Sequence, residues 1–418
     1  MTKDRRIISP LLLFVVVLAV FEFTVRLPYV LYATDAPALG ADAVVHFFGY
    51  AEPARVISLG LTIVVAATLA TFIAFAVSGP LHHVSSDRQQ APLVHWSIYL
   101  IAPVFVAAAV LAVVSLGAEA LIEDLSGKRS ELGERGLTWV LLRLAVFCHL
   151  IAAIFYIRVV QTGSLIDKLM FLVVVLAVIG PAVVFSQRAI LISFVLEVIY
   201  LQLILGTFNI RRFLRLAAFI LPALILISAL RPNAELTSLS DALLFGVEKA
   251  VQSRYFLDFA KIGAVMSWAE LQPWMGPIVF GFIFEPFLGD QIIFYKETGP
   301  IIAEQVYLYR AQNGVTPGFL LESILSFGIP LGIMLFAAVM TAFLRIEKQM
   351  LQARSMTLGG LLFRLLIVSK VSLLLNSSLG AFSFQLVTEA VLLGAVVLFI
   401  SIMGSLGARA HLHGVGHA

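Results

Sequence analysis

Long unbroken runs of apolar residues, separated by short clusters of charge, set the rhythm of this chain. One run follows Pro10 and continues to Val20; others cover Leu59–Val77, Tyr99–Leu116, Leu169–Phe185 and Ile329–Leu344. Segments of roughly 18–25 residues with few charges can cross a ~30 Å hydrocarbon layer as helices. Short alternating segments of the kind that build barrels are absent, and only helices or closed barrels satisfy the backbone in lipid. The pattern therefore predicts an all-α polytopic membrane protein with about ten transmembrane helices. Their expected limits are 8–31, 56–78, 97–117, 137–157, 168–185, 189–206, 213–230, 319–344, 364–379 and 385–407.

The whole of 1–418 reads as a single integral membrane domain with one long hydrophilic stretch, 231–318. Within it, Asp241 to Leu271 has helical amphipathic spacing, with Arg254, Asp258 and Lys261 on one face. The apolar run Gly276–Leu288 is too short to span and is broken by Pro277 and Pro286, which suits a re-entrant or interfacial element. Asn313 to Gly318 forms a turn signal leading into the next span, with Pro at the first helical position.

Composition sharpens this picture. Hydrophobic residues make up 61% and charged residues only 13%, whereas soluble domains carry about 25% charge. The net charge of +3 gives no sign of nucleic-acid binding. Cys148 is the single cysteine, which excludes an intrachain disulfide and a multi-cysteine metal site. The first apolar run exceeds a signal-peptide core and follows Lys3, Arg5 and Arg6, so it reads as an uncleaved span.

With the N-terminus inside, the inner loops collect Arg88, Arg158, Lys168, Arg211, Arg212, Arg215, Arg345, Lys348, Arg354, Arg364 and Arg409. The outer loops collect Asp35, Asp42, Glu52, Glu119, Glu123, Asp124, Glu131 and Glu134. This bias places both termini in the cytoplasm and 231–318 outside.

External cations then stand out: Arg188 in the short turn Ser186-Gln187-Arg188, Arg231 at the end of a span, and Arg254, Lys261, Lys296 and Arg310 in the long loop. Such groups either bind a phosphate-bearing lipid head group through charge-assisted bonds or snorkel to the interface. Inside the expected spans, Lys370 and Glu389 share a depth near mid-membrane, and Glu197 reaches a similar one. They form either an ion pair that fixes helix packing or a proton relay. Glu22 and Arg26, at i,i+4, read as a local pair. External carboxylates available for base chemistry are Asp258, Glu285, Glu304 and Glu322. Nucleotide-binding, metallopeptidase and serine-hydrolase motifs are missing, and the histidine-bearing tail from His411 to His417 reads as a flexible end.

Three stretches together resemble the Wzy-type polymerases of bacterial O-antigen and exopolysaccharide repeat units. Phe185-Ser186-Gln187-Arg188-Ala189-Ile190-Leu191 is similar to that family's arginine turn opening a span. Gln252-Ser253-Arg254-Tyr255-Phe256-Leu257-Asp258 resembles its arginine-bearing loop helix. Gly314 to Glu322, continuing to Phe327-Gly328, resembles its Gly-Thr-Pro turn, glutamate and Phe-Gly step.

The resemblance implies a GT-C-like polymerase architecture in the bacterial inner membrane. It also implies a metal-independent glycosyltransferase needing no cofactor, whose substrates are undecaprenyl-pyrophosphate-linked glycans drawn from the surrounding membrane lipid. It implies that Arg188 and Arg254 hold pyrophosphate, with Arg310 and Lys296 as outer contacts, and that Glu322 or Asp258 orients or deprotonates the acceptor hydroxyl. A chain-length regulator is the implied protein partner. Three other functions remain open: an O-antigen ligase, whose loop histidine has no counterpart in 231–318; a flippase or transporter of lipid-linked sugars; and a structural scaffold.

Overall fold

A computed structural model of the 418-residue chain describes residues 6–7, 9–35, 48–49, 51–79, 81–82, 98–114, 136–184, 188–204, 257–272, 276–281, 318–352, 358–376 and 379–414. It also describes the isolated positions 208–209, 211–212, 214–215, 218, 283, 300–302 and 304–307. Apart from one two-residue ladder, β1 (Arg6–Ile7) against β2 (Leu81–His82), the described elements are helical. Among the described residues, four helical stretches are long and apolar enough to cross a membrane: Pro10–Tyr32, Pro53–Ser78, Arg143–Thr162 and Phe319–Leu351. Their outward faces carry Val17, Val20, Leu69, Ile73, Leu331 and Met334, a surface suited to lipid rather than water. The expected span 213–230 lies almost entirely outside the described residues.

The chain divides into two compact units, the first built from 1–83, 236–352 and 370–384. Its first helix, α1 (Pro10–Phe21), runs through a single π turn at Glu22–Arg26 into α2 (Leu27–Asp35). The second, α3 (Pro53–Ser78), starts on a proline at the position where a missing N–H costs nothing. The ends of these helices define two poles. At one pole Glu347 accepts from the Ser9 hydroxyl and, at 3.2 Å, from the Leu11 N–H, capping α1. Beside it the Lys348 ammonium donates to the Ser78 carbonyl at 3.2 Å, capping the end of α3. At the other pole lie Arg26 near the end of the first span and the beginning of α3. The expected alternation of direction therefore holds: α3 and the Glu347 helix run parallel, and α1 runs against both.

The Glu347 helix is α10 (Phe319–Gln352), which is two helices in one. Gly328 adopts φ +77, a conformation open to glycine because it lacks Cβ, and Pro330 stands two residues on. The chain turns so sharply that a Cβ on Gly332 would lie 2.6 Å from the Ile324 Cα. Phe319 to Phe327 is thus a half-helix, introduced by Gly318 at φ +79 and too short to cross a bilayer. The run expected to be re-entrant packs here. Ile278 and Val279 of its 3₁₀ turn Ile278–Phe280 are buried, the Val279 N–H donates to Ser326 Oγ at 3.0 Å, and the Phe280 and Phe327 rings lie 6.1 Å apart.

The second unit comprises 84–235, 353–369 and 385–418. It contains α4 (Ile98–Val114), α5 (Gly136–Val146), α6 (Cys148–Thr162), α7 (Leu165–Val184) and α8 (Arg188–Ile204). It also holds the beginning of α11 (Leu358–Asn376) and most of α12 (Leu379–Gly414). α5 and α6 together fill the place of the expected span 137–157, with a break at Phe147. Tyr99, Arg158, Thr162 and Asp167 tie the start of α4 to the α6–α7 turn: Arg158 Nε donates to Asp167 at 2.9 Å, and Thr162 Oγ1 does so at 2.7 Å. Burial works to raise the Asp167 carboxyl, but these donors outweigh it and hold the group below its ordinary value.

Candidate functional site

The long hydrophilic stretch returns into the first unit through α9 (Phe259–Ala269). Its packing on α3 is set by two glycines. A Cβ on Gly60 would meet the Phe259 carbonyl oxygen at 1.9 Å, and one on Gly263 would meet the Val56 oxygen at 2.0 Å. The pairing 60 with 259 and 56 with 263 makes α9 antiparallel to α3. Its far end is marked by the exposed pair of Glu270 with Arg55, next to the start of α3. The beginning of α9 therefore sits about 10 Å along α3 from that helix's first residue, at ~1.5 Å per residue. This element enters the bundle instead of lying over it.

Here the structure departs from the expected amphipathic helix. The described helix begins at Phe259, and Asp258 is its extended cap, with φ −59 and ψ 100. Phe259 through Ser267 are all buried, so no polar face is presented to solvent. Arg254 and the rest of 241–256 lie outside the described residues.

Asp258 has both oxygens engaged. Oδ1 accepts from the Lys261 N–H at 3.0 Å, closing the helix cap. Oδ2 accepts from Arg26 Nη2 at 2.7 Å. Arg26 Nη1 also lies 3.6 Å from Glu22 Oε1, so the local pair expected from i,i+4 spacing is present but is longer than the contact with Asp258. Glu22 Oε2 in turn accepts from the Phe259 N–H at 3.5 Å. The Lys261 side chain is buried within electrostatic range of Glu22. Two carboxyl groups and two cationic side chains thus cluster together, each about 1% exposed, and pairing of this kind is what makes buried charge tolerable. The π turn at Glu22–Arg26 sits at this knot, where such turns often mark function.

Glu322 lies on the half-helix and is fully buried. Its Oε2 accepts from the Leu379 N–H, the first of α12, at 3.3 Å. Its Oε1 has no hydrogen-bond partner among the described residues.

The other candidates are distributed as follows. Arg188 opens α8, as its turn predicts, and only its backbone is described. Lys296 and Arg310 lie outside the described residues. Lys370 is buried on α11. Glu389, on α12, takes Arg143 of α5 at 3.3 Å, a partner the hydropathy reading did not weigh because it considered only Lys370 at that depth. Glu197 likewise finds His149, whose Nδ1 is 2.6 Å from Oε1. Among the described residues no group of His, Cys, Asp and Glu could hold a metal ion. The sequence reading missed that Arg26 reaches Asp258, and local spacing could not have shown it across 232 residues. No protein-family description, curated protein or solved structure matches the chain.

Proposed function

We propose that this chain is a polysaccharide polymerase. It transfers a growing glycan from undecaprenyl pyrophosphate onto a lipid-linked repeat unit, at the outer face of a bacterial inner membrane. The observation that carries the reading is Glu322. It falls in the stretch with the most specific likeness to Wzy-type polymerases, and one of its buried carboxyl oxygens has no described partner. In the proposed step an acceptor hydroxyl oxygen attacks the anomeric carbon of the donor. The bond from that carbon to pyrophosphate breaks, pyrophosphate leaves with the electron pair, and the hydroxyl proton passes to Glu322 Oε1. Asp258, with both oxygens committed, supports the site instead of serving as base. Arg188 and Arg254 stabilise charge on the departing pyrophosphate, with Arg310 and Lys296 farther out. No cofactor enters this scheme.

One observation favours a second reading. A helix broken by Gly328 and Pro330, beside a buried carboxyl, is a feature of transporters with midplane sites, so a flippase of lipid-linked sugars is the alternative. One deletion strain separates the two. Loss of a polymerase leaves single repeat units at the surface, whereas loss of a flippase leaves them facing the cytoplasm. Long glycan stranded on the lipid carrier would point to a ligase and overturn both readings.

A further inference from the structure

We propose that the second unit carries a binding site for the phosphate of an anionic membrane phospholipid, formed by Arg211, Arg212 and Arg215 with Lys168 and the Tyr156 hydroxyl. The proposal is independent of the polymerase reading, since it uses no residue assigned to that reaction. It starts from where the charges of this unit fall. Its described carboxylates are all buried and all paired: Asp167 with Arg158, Glu197 with His149 and Glu389 with Arg143. Lys168, Arg211, Arg212 and Arg215 are exposed, and among the described residues none of them meets a carboxylate. These cations are left for a counter-charge from outside the chain.

The fold gathers them around Tyr156. Every residue of α6 from Cys148 to Phe155 is buried; Tyr156 is the first that is not, and its ring lies 5.9 Å from that of Phe171 on α7. Lys168 precedes Phe171 by three residues, so it stands on the same face of α7, one turn nearer the α6–α7 turn. Arg212 and Arg215, from a further element, lie within electrostatic range of Tyr156. Asn209 sets their entry: its Oδ1 accepts from the Arg211 N–H at 2.9 Å, opening the helical residues that hold the arginines. An arginine that only snorkels needs nothing beyond its own helix and the interface. Here cations from two separate elements converge on one tyrosine.

A lipid phosphate suits this set. Guanidinium forks donate paired bonds to phosphate oxygens, the ammonium adds a compact charge, and the tyrosine O–H supplies a further donor. The surroundings favour a lipid over a soluble phosphate. Leu165, Ile166 and Leu169 on α7, with Phe208 and Leu214 beside the arginines, are exposed apolar side chains. They offer acyl chains a surface directly next to the charge, and basic pockets between membrane helices hold lipid head groups in this way.

The test is lipid retention by the full-length protein in detergent, read by native mass spectrometry with added phosphatidylglycerol or phosphatidylcholine. The parent should bind phosphatidylglycerol in clear preference to phosphatidylcholine. Arg212→Gln combined with Arg215→Gln should weaken phosphatidylglycerol binding about thirtyfold, the joint effect of two arginines at an anionic surface. Arg345→Gln, which removes an exposed cation of the first unit, should leave binding unchanged. Tyr156→Phe keeps a ring against Phe171 and removes the donor, so it should weaken binding several-fold. Equal binding of the two lipids would overturn the proposal. An equal loss with Arg345→Gln would also overturn it, because net charge alone would then account for retention. Displacement of the lipid by millimolar inorganic phosphate would overturn the lipid assignment in favour of a soluble anion. Both arginines are exposed, so the double variant should unfold at the parent's temperature. If it does not, Tyr156→Phe decides, and undiminished phosphatidylglycerol binding there would overturn the site.

Discussion

Glu322 does two jobs that different substitutions can separate. Its Oε2 receives the first N–H of α12, a group that would otherwise be an orphan of the helix start, and its Oε1 is proposed to take a proton. Glutamine preserves a carbonyl oxygen for Leu379 and removes the basic carboxylate; alanine removes both. We expect Glu322→Gln to accumulate at a normal level in the membrane with glycan extension reduced at least about a hundredfold, the lower range for losing a general base. Glu322→Ala should lose abundance as well, by the ~1–3 kcal/mol cost of an unsatisfied buried donor. Immunoblotting and glycan sizing on the same cultures read both quantities. Normal glycan from Glu322→Gln would reduce Glu322 to a cap. At this scale the sequence was informative only where partners were near in the chain. Glu22 with Arg26 was legible; Arg143 with Glu389, His149 with Glu197 and Arg26 with Asp258 were not, because each pairing depends on which helices become neighbours.

Elements were more legible than contacts. The expected starts of the second, third and sixth spans fall within three residues of α3, α4 and α8, since apolar length is a property of one segment alone. The corner at Gly328 escaped the hydropathy reading because the residues on both sides of it are equally apolar. A Gly-x-Pro step was its one written sign. The glycines give a direct test of helix packing. Gly60→Ala would place a methyl 1.9 Å from the Phe259 oxygen, so α3 and α9 must separate, and we expect a loss of about 1–3 kcal/mol. Gly180, on α7, has nothing within 4 Å of its would-be Cβ. There alanine should be neutral or stabilising, by up to about 1 kcal/mol, through helix propensity. Thermal unfolding of the purified variants in detergent compares the two. Equal behaviour would mean that backbone contact at Gly60 does not hold α9 in place.

For the whole molecule, the relative directions of α1, α3 and α10 agree with the alternation read from the loops, while the expected compartment at each pole rests on the charge bias alone. Ser9, Ser78 and Glu347 meet at one pole, so chain ends nearby must share a compartment. Reporter fusions after Gly79 and at Ser355 should give cytoplasmic signal, and a fusion at Asn233 should give external signal. A cytoplasmic signal at Asn233 would put the proposed pyrophosphate-binding arginines of 231–318 on the wrong side for a periplasmic polymerase. The return of α9 into the bundle was beyond the reach of charge counting, which treats 231–318 as one hydrophilic loop. Its insertion depends on two glycines and an ion pair, features that carry no hydropathy signal.

That ion pair also imposes an order on biogenesis. Arg26 leaves the ribosome 232 residues ahead of Asp258, an interval of roughly ten to fifty seconds at ordinary rates of synthesis. Throughout it the first span must enter the membrane with a guanidinium whose main partner does not yet exist. Glu22, one turn away and made moments earlier, is the only other member of the knot made by that time. During that interval Glu22 is the carboxyl of the knot within reach of Arg26, at 3.6 Å, and the closer contact with Asp258, at 2.7 Å, is added only once the chain has been made.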